Sequence, residues 1–220
     1  MTTVSAREGY ALWASSYGPE TAVSALEDES VRALNLPPTY RALLDVGCGT
    51  ARRMASVRAD ITVGIDLSPA MLARRASEQL VSAAEAAALP LRDASFDRVW
   101  CRLMIGHTRA YEAVYAELAR VCAPDGYVVV TDFHPDAVAA GHRRTFRDAE
   151  GELREVEHHV HAPAAQMSVA AHHGLELVAR EEAVVGPSIE SFYRQAGADA
   201  AYEAQRGLPL VMVLAFHRAP

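Results

Sequence analysis

The sequence contains no lysine: all 21 of its basic residues are arginine. Schiff-base chemistry, a pyridoxal-phosphate anchor and a catalytic lysine are therefore excluded. Cysteine is scarce as well. Cys48, Cys101 and Cys122 form no CxxC pair and no disulfide framework, which points to a reducing, cytoplasmic setting. No apolar run is long enough to span a membrane. The opening stretch from Met1 to Glu8 lacks the charged and apolar regions of a signal peptide. Positive charge is not in excess: the net charge is −7 and the arginines are scattered. A nucleic-acid partner, which needs a basic face, is not expected. Internal repeats, linkers and low-complexity tracts are missing too, so the 220 residues are expected to form one domain over 1–220.

What is present is an alternation of apolar runs and helical patterns, with half of all residues hydrophobic. Strands are expected at about 41–46, 60–66, 80–84, 97–103, 127–133, 175–185 and 209–217. Helices are expected at about 21–35 and 50–58, after Ser68-Pro69, from a Thr108 cap through Val121, and at 163–173. Alternation at these lengths implies an α/β fold with a doubly wound parallel sheet. Three decorations are expected. Residues 1–36 form an N-terminal helical cap carrying Tyr10, Trp13 and Tyr17. Residues 137–162 insert a β-hairpin after strand five, turning at Asp148-Ala149-Glu150-Gly151. Residues 187–207 are a polar helical excursion.

The sharpest signal is Leu43-Leu44-Asp45-Val46-Gly47-Cys48-Gly49-Thr50-Ala51, an apolar strand running into a glycine turn. The next strand, Ile61 to Asp66, ends on an acid. The pair describes a nucleotide site at the C-terminal edge of a parallel sheet, with Asp66 placed to accept both hydroxyls of a ribose. Gly47 and Gly49 let the backbone approach a ligand closely. A dinucleotide fingerprint would put a third glycine where Arg52 stands. The spacing instead follows D-x-G-x-G-x-(G/A), with Ala51 at the small position and Asp45 available to an amino-acid ammonium group.

These residues resemble the class I S-adenosylmethionine (SAM)-dependent methyltransferases, closest to the small-metabolite methyltransferase-11 type that includes the ubiquinone and menaquinone enzymes. Gly64 to Leu72, Ala88-Leu89-Pro90-Leu91 with Phe96-Asp97, and Leu118 to Val121 with Pro124-Asp125-Gly126 agree with that family in order. The resemblance implies a Rossmann-like, seven-stranded, mostly parallel sheet whose last strand is antiparallel. It implies SAM as cofactor, S-adenosylhomocysteine (SAH) as its product, and SAM contacts from Tyr17, Asp45, Gly47, Cys48, Gly49, Asp66, Leu67, Met71, Glu85, Ala86 and Leu103. Three positions depart from it: Ala51 replaces the usual glycine, Glu85 an aspartate at the adenine, and Ala11 an acid after Tyr10. The aromatic trio also fits plain packing of an amphipathic helix, and Glu85 a solvated loop.

The acceptor side is read from the histidines. His134 follows strand five and His107 follows strand four, both facing the ligand crevice of such a sheet. They are the candidate catalytic bases. His158, His159 and His161 fall on the expected return strand of the hairpin, with His159 and His161 on one face. A metal site from His134, His159 and His161 lacks tight ligand spacing, and no metal is expected. His172 and His173 suit a helix C-terminus. Arg102, Arg143 and Arg144 are candidates to pair with an acidic acceptor. The expected activity is methyl transfer to O or N of a small-molecule metabolite, with homodimerisation open. The alternatives are another SAM-dependent reaction on the same fold, a SAM-binding protein without turnover, and, more distantly, a nicotinamide dehydrogenase.

Overall fold

The computed structural model describes residues 1–18, 20–75 and 78–220. In chain order the elements are β1 (Thr2–Val4), α1 (Ala6–Trp13), α2 (Ala22–Ala33), β2 (Ala42–Val46), β3 (Ile61–Asp66), α3 (Pro69–Leu72), β4 (Leu80–Ala83), β5 (Phe96–Arg102), α4 (Tyr111–Val121), β6 (Cys122–Phe133), α5 (Pro135–Ala139), β7 (Thr145–Arg147), β8 (Leu153–Val156), α6 (Pro163–His172), β9 (Leu175–Val184), α7 (Glu190–Gln195), α8 (Asp199–Gln205) and β10 (Pro209–Arg218). The main sheet runs β4-β3-β2-β5-β6-β10-β9, with β10 antiparallel to both neighbours and β2 to β6 parallel. This is the seven-stranded, mostly parallel arrangement expected from the sequence.

Side-chain alternation explains the layers. Leu44 and Val46, Val99 and Cys101, Val128 and Val130, and Met212, Leu214 and Phe216 pack on one face with α4 and α6. Leu43, Trp100, Val129, Val211, Val213 and Ala215 pack on the other with α2 and α8. Both faces are covered, so the central strands read as continuous apolar runs. None of the described helices is long and apolar enough to cross a membrane.

Four local expectations need correction. The N-terminal cap is not all helix: β1 pairs in parallel with β8, making a three-stranded sheet with the β7–β8 hairpin. Val4 buries there against Phe146 and Val156, and no local pattern reveals a partner that far along the chain. The expected helix at 50–58 is a single 3-10 turn, Arg52–Ser56, because Ala51 sits in the left-handed region at φ +55°. Thr108 does not cap α4: its hydroxyl accepts the Ala110 N–H, and the helix starts at Tyr111. The return strand stops at Val156, so His158, His159 and His161 lie on irregular chain and strand alternation does not apply to them.

Candidate active site

A cavity of about 480 Å³ opens at the C-terminal ends of β2, β3, β4 and β5, under α1. The turn after β2 builds its floor. Gly47 and Cys48 donate to the Ile65 carbonyl at 2.7 and 3.1 Å, folding the turn over β3. Gly47 has φ +80°, and a Cβ there would stand 2.4 Å from the Met104 Cγ, so only glycine fits. Asp66 accepts the Gly49 N–H on one oxygen at 2.7 Å and the Ser68 N–H on the other at 2.8 Å. Burial pushes its carboxyl up, and the backbone N–H groups of Ser68, Gly49 and Leu67 oppose that rise. Asp66 therefore holds the glycine loop in shape, a role beyond the ribose contact expected of it.

Ten of the residues expected at SAM border this cavity: Tyr17, Gly47, Cys48, Gly49, Asp66, Leu67, Met71, Glu85, Ala86 and Leu103. Leu103 has φ +54°, a strained conformation for a leucine. It is held there by its N–H, which donates to both the carbonyl and the hydroxyl of Thr131. Glu85 is exposed and takes Arg7 of α1 at 2.8 Å, so the cap is tied across that end of the cavity.

Asp45 does not reach the cavity surface. It lies beneath the loop, 1% exposed, and neither carboxylate oxygen has a hydrogen-bond partner among the described residues. Burial raises it to about 6, against the pull of Arg53 and Arg102. A cation held by the loop just above would relieve that buried charge through space. The residues present therefore fit an amino-acid ammonium at one end and a ribose at the other.

An ion-pair network that is not among the sequence expectations holds the floor from behind. Glu27 of α2 is fully buried and takes Arg102 in a two-pronged pair, Nε at 2.7 Å and Nη2 at 2.8 Å. Arg53 reaches it at 3.1 Å and the Thr131 hydroxyl donates at 2.8 Å. Asp28 also pairs with Arg102. Arg102 is thus spent on α2 and is not free for an acceptor. The signal was present: Glu27 lies four residues from both Val23 and Val31, on the apolar side of the helix.

On the acceptor side, the two candidate histidines part company. His134 does not border the cavity. Its N–H continues the sheet ladder to the Leu210 carbonyl, and Pro135 starts α5 immediately after. Its ring is drawn into capping α5, Nδ1 accepting the Asp136 N–H at 3.1 Å, with Nε2 3.7 Å from Glu182. The expectation that it acts as the base fails on this placement. His107 does border the cavity. Its Nδ1 is 3.2 Å from the Glu157 carbonyl, which can only accept, so Nδ1 carries the proton. Nε2 then accepts the Tyr10 hydroxyl at 2.9 Å. Burial, with the Arg144 charge beside it, holds His107 well below its usual range and keeps it neutral. His134, His159 and His161 do not come together as a metal site. His161 is engaged by the Thr108 carbonyl at 2.8 Å, and no cluster of three metal-ligating side chains occurs among the described residues.

The fold and floor together define a Rossmann-like domain whose glycine turn and strand-end acid line one cavity. A family model described as "Methyltransferase domain" matches residues 44–130. An O-methyltransferase of Pyrenophora dematioidea is 33% identical over 56% of this chain and 54% of its own length. A malonyl-[acyl-carrier protein] O-methyltransferase of Dechloromonas aromatica is 30% identical over 59% and 47%. The chain thus spans about half the length of these curated relatives. The solved structure of a SAM-dependent methyltransferase from Mesorhizobium loti shares the fold, with a TM-score of 0.66 over 90% of this chain and 100% of that one at 21% identity. Residues 44–130 of this chain are thus similar to the methyltransferase domain family, and the chain shares the fold of a SAM-dependent methyltransferase.

Proposed function

We propose that this protein transfers a methyl group from SAM to O or N of a small-molecule metabolite. The observation that carries the reading is the cavity itself. One half is the glycine loop with Asp66, above the buried Asp45; the other is an aromatic and basic surface from Tyr10, Trp13, Phe133, His107 and Arg144. Two relatives are named O-methyltransferases, which supports oxygen as the acceptor atom.

SAM supplies a methyl on a sulfonium centre, already activated for transfer. The chain has to bind, align and exclude water, which can contribute roughly 7–11 kcal/mol when the reacting groups are well oriented. Asp66 accepts the ribose hydroxyls, and the negative Asp45 favours the ammonium end. Tyr10, Trp13 and Tyr17 close the cavity from the cap. Tyr10 and Trp13 stack at 5.8 Å, and Trp13 and Tyr17 meet edge-on at 5.0 Å. His107 Nε2, neutral and so open to a proton, is the proton acceptor; its lowered pKa makes it a weak base, suited to taking the proton only as the methyl bond forms. It is reached through Tyr10, whose hydroxyl passes its proton to Nε2 as it takes one from the acceptor.

Calorimetry with SAM and SAH tests the donor half. Both are expected to bind, and Asp66→Ala is expected to weaken them roughly 10- to 150-fold, the range for a hydrogen bond to a charged group. Unchanged affinity in a folded variant would remove Asp66 from the site. With an acceptor in hand, His107→Ala is expected to keep SAM affinity and lose roughly 10²–10⁴-fold in turnover. SAM binding with no transfer to any metabolite pool would instead favour a binding protein without turnover.

A further inference from the structure

We propose that the acceptor is a small organic acid, and that Arg144 is the seat of its carboxylate. This rests on the methyltransferase reading and names the substrate class for the same cavity. Six arginines border the cavity; Arg7, Arg52 and Arg53 pair with Glu85, Glu20 and Glu27, and Arg102 is consumed by Glu27 and Asp28. Arg143 is half exposed and lies 3.6 Å from Glu155. Arg144 is different: its side chain is 11% exposed and it borders the cavity.

A guanidinium carries five N–H donors. In Arg144 one nitrogen, Nη1, donates to the Tyr10 hydroxyl at 3.4 Å, near the limit for such a bond. Nε and Nη2 have no hydrogen-bond partner among the described residues and are themselves buried, so a ligand reaches them by displacing the side chains that cover them. Asp132 stands 3.5 Å away and fixes the orientation of the guanidinium, but its nearer oxygen is engaged by His158 at 3.1 Å. A buried donor left without an acceptor is costly, and an ionised one more so. A carboxylate offers the matching geometry, two parallel oxygens for two N–H groups.

The surroundings fix the rest of the acceptor. The Arg144 guanidinium lies 4.9 Å over the Phe133 ring, and Trp13 stacks on Tyr10 nearby. An apolar or aromatic body would fill that space. Tyr10 joins the anion seat to the proton acceptor, at 3.4 Å from Arg144 and 2.9 Å from His107. The carboxylate and the atom to be methylated are thereby brought to one side of the ligand.

The test uses phenylacetate and its uncharged isostere phenylacetamide, titrated calorimetrically with and without saturating SAH. SAH binding is measured first and reports on the donor reading by itself, so the two failures are separable. The wild-type protein is expected to prefer the carboxylate by roughly 10- to 150-fold. Arg144→Gln is expected to abolish that preference while SAH still binds. Arg144→Lys keeps the charge but not the fork, and is expected to weaken phenylacetate while leaving phenylacetamide unmoved. If Arg144→Gln does not fold, the lysine variant decides. Equal binding of the two probes to wild type, binding of neither, or an undiminished preference in either variant would overturn the proposal.

Discussion

Asp45 is an acid buried without a hydrogen bond among the described residues, and that has a measurable consequence at the scale of one residue. Burial raises it to about 6 in the free protein. A cationic ammonium bound above it favours the ionised form and pulls its pKa down again. Binding then releases a proton wherever the free protein holds one, which is below about pH 6. SAH affinity is therefore expected to be flat near pH 7 and to fall as the pH drops through 6, approaching about tenfold per unit. Asp45→Asn should flatten the profile, as calorimetry between pH 5 and 7 would reveal. A flat wild-type profile would detach Asp45 from ligand recognition.

Among the elements, α2 carries the cavity floor. Its start is set locally by Thr21 and Ser24, whose side chains each accept from the other's backbone N–H. Its position is set by Glu27, which joins α2 to β5 through Arg102, to β6 through Thr131 and to the 3-10 turn through Arg53. Removing one partner of a buried ion pair costs about 3–5 kcal/mol. Glu27→Gln is expected to lower the melting temperature by roughly 6–20 °C, at 2–4 °C per kcal/mol for a domain of this size. The Arg102, Arg53 and Thr131 contacts outweigh burial and hold Glu27 below its ordinary pKa. Its contribution is accordingly complete above the usual carboxylate range and lost as the pH falls through the lowered value. The wild type should lose more stability on acidification than the variant. Equal melting temperatures at pH 7 would show that α2 is held by its apolar face alone.

For the molecule as a whole, the chain closes on itself at its start. β1 pairs with β8, and α1 is laid between that small sheet and the cavity. Gly9 permits the approach: a Cβ there would stand 3.0 Å from Val156 and 3.1 Å from Val4. Gly9→Val is expected to lift α1, at a cost of about 1–3 kcal/mol for overpacking. The effect should appear as faster hydrogen exchange across α1 and weaker SAH binding, while the seven-stranded sheet keeps its protection. Unchanged exchange in α1 would mean that the cap does not depend on this packing.

The sequence by itself determined the sheet, the glycine loop and Asp66. Each is a short-range statement: buried strands must be apolar, a tight turn needs glycine, and an acid at a strand end stands a few residues from the turn it serves. Even there the local pattern overreached, since Ala51 turns left-handed and leaves one 3-10 turn where a helix was expected. The contacts among Tyr10, His107 and Arg144 come from the tertiary structure alone. Tyr10 meets His107 across 97 positions and Arg144 across 134, separations that periodicity does not register. The tertiary structure also separates two histidines placed alike in the sequence, since His107 lines the cavity and His134 does not. His134 follows a strand that hands its ladder on to β10 and starts a helix, so the ring is drawn away to cap it. His107 lies in the 3-10 turn after β5, where the Glu157 carbonyl fixes its proton and leaves the other nitrogen facing Tyr10.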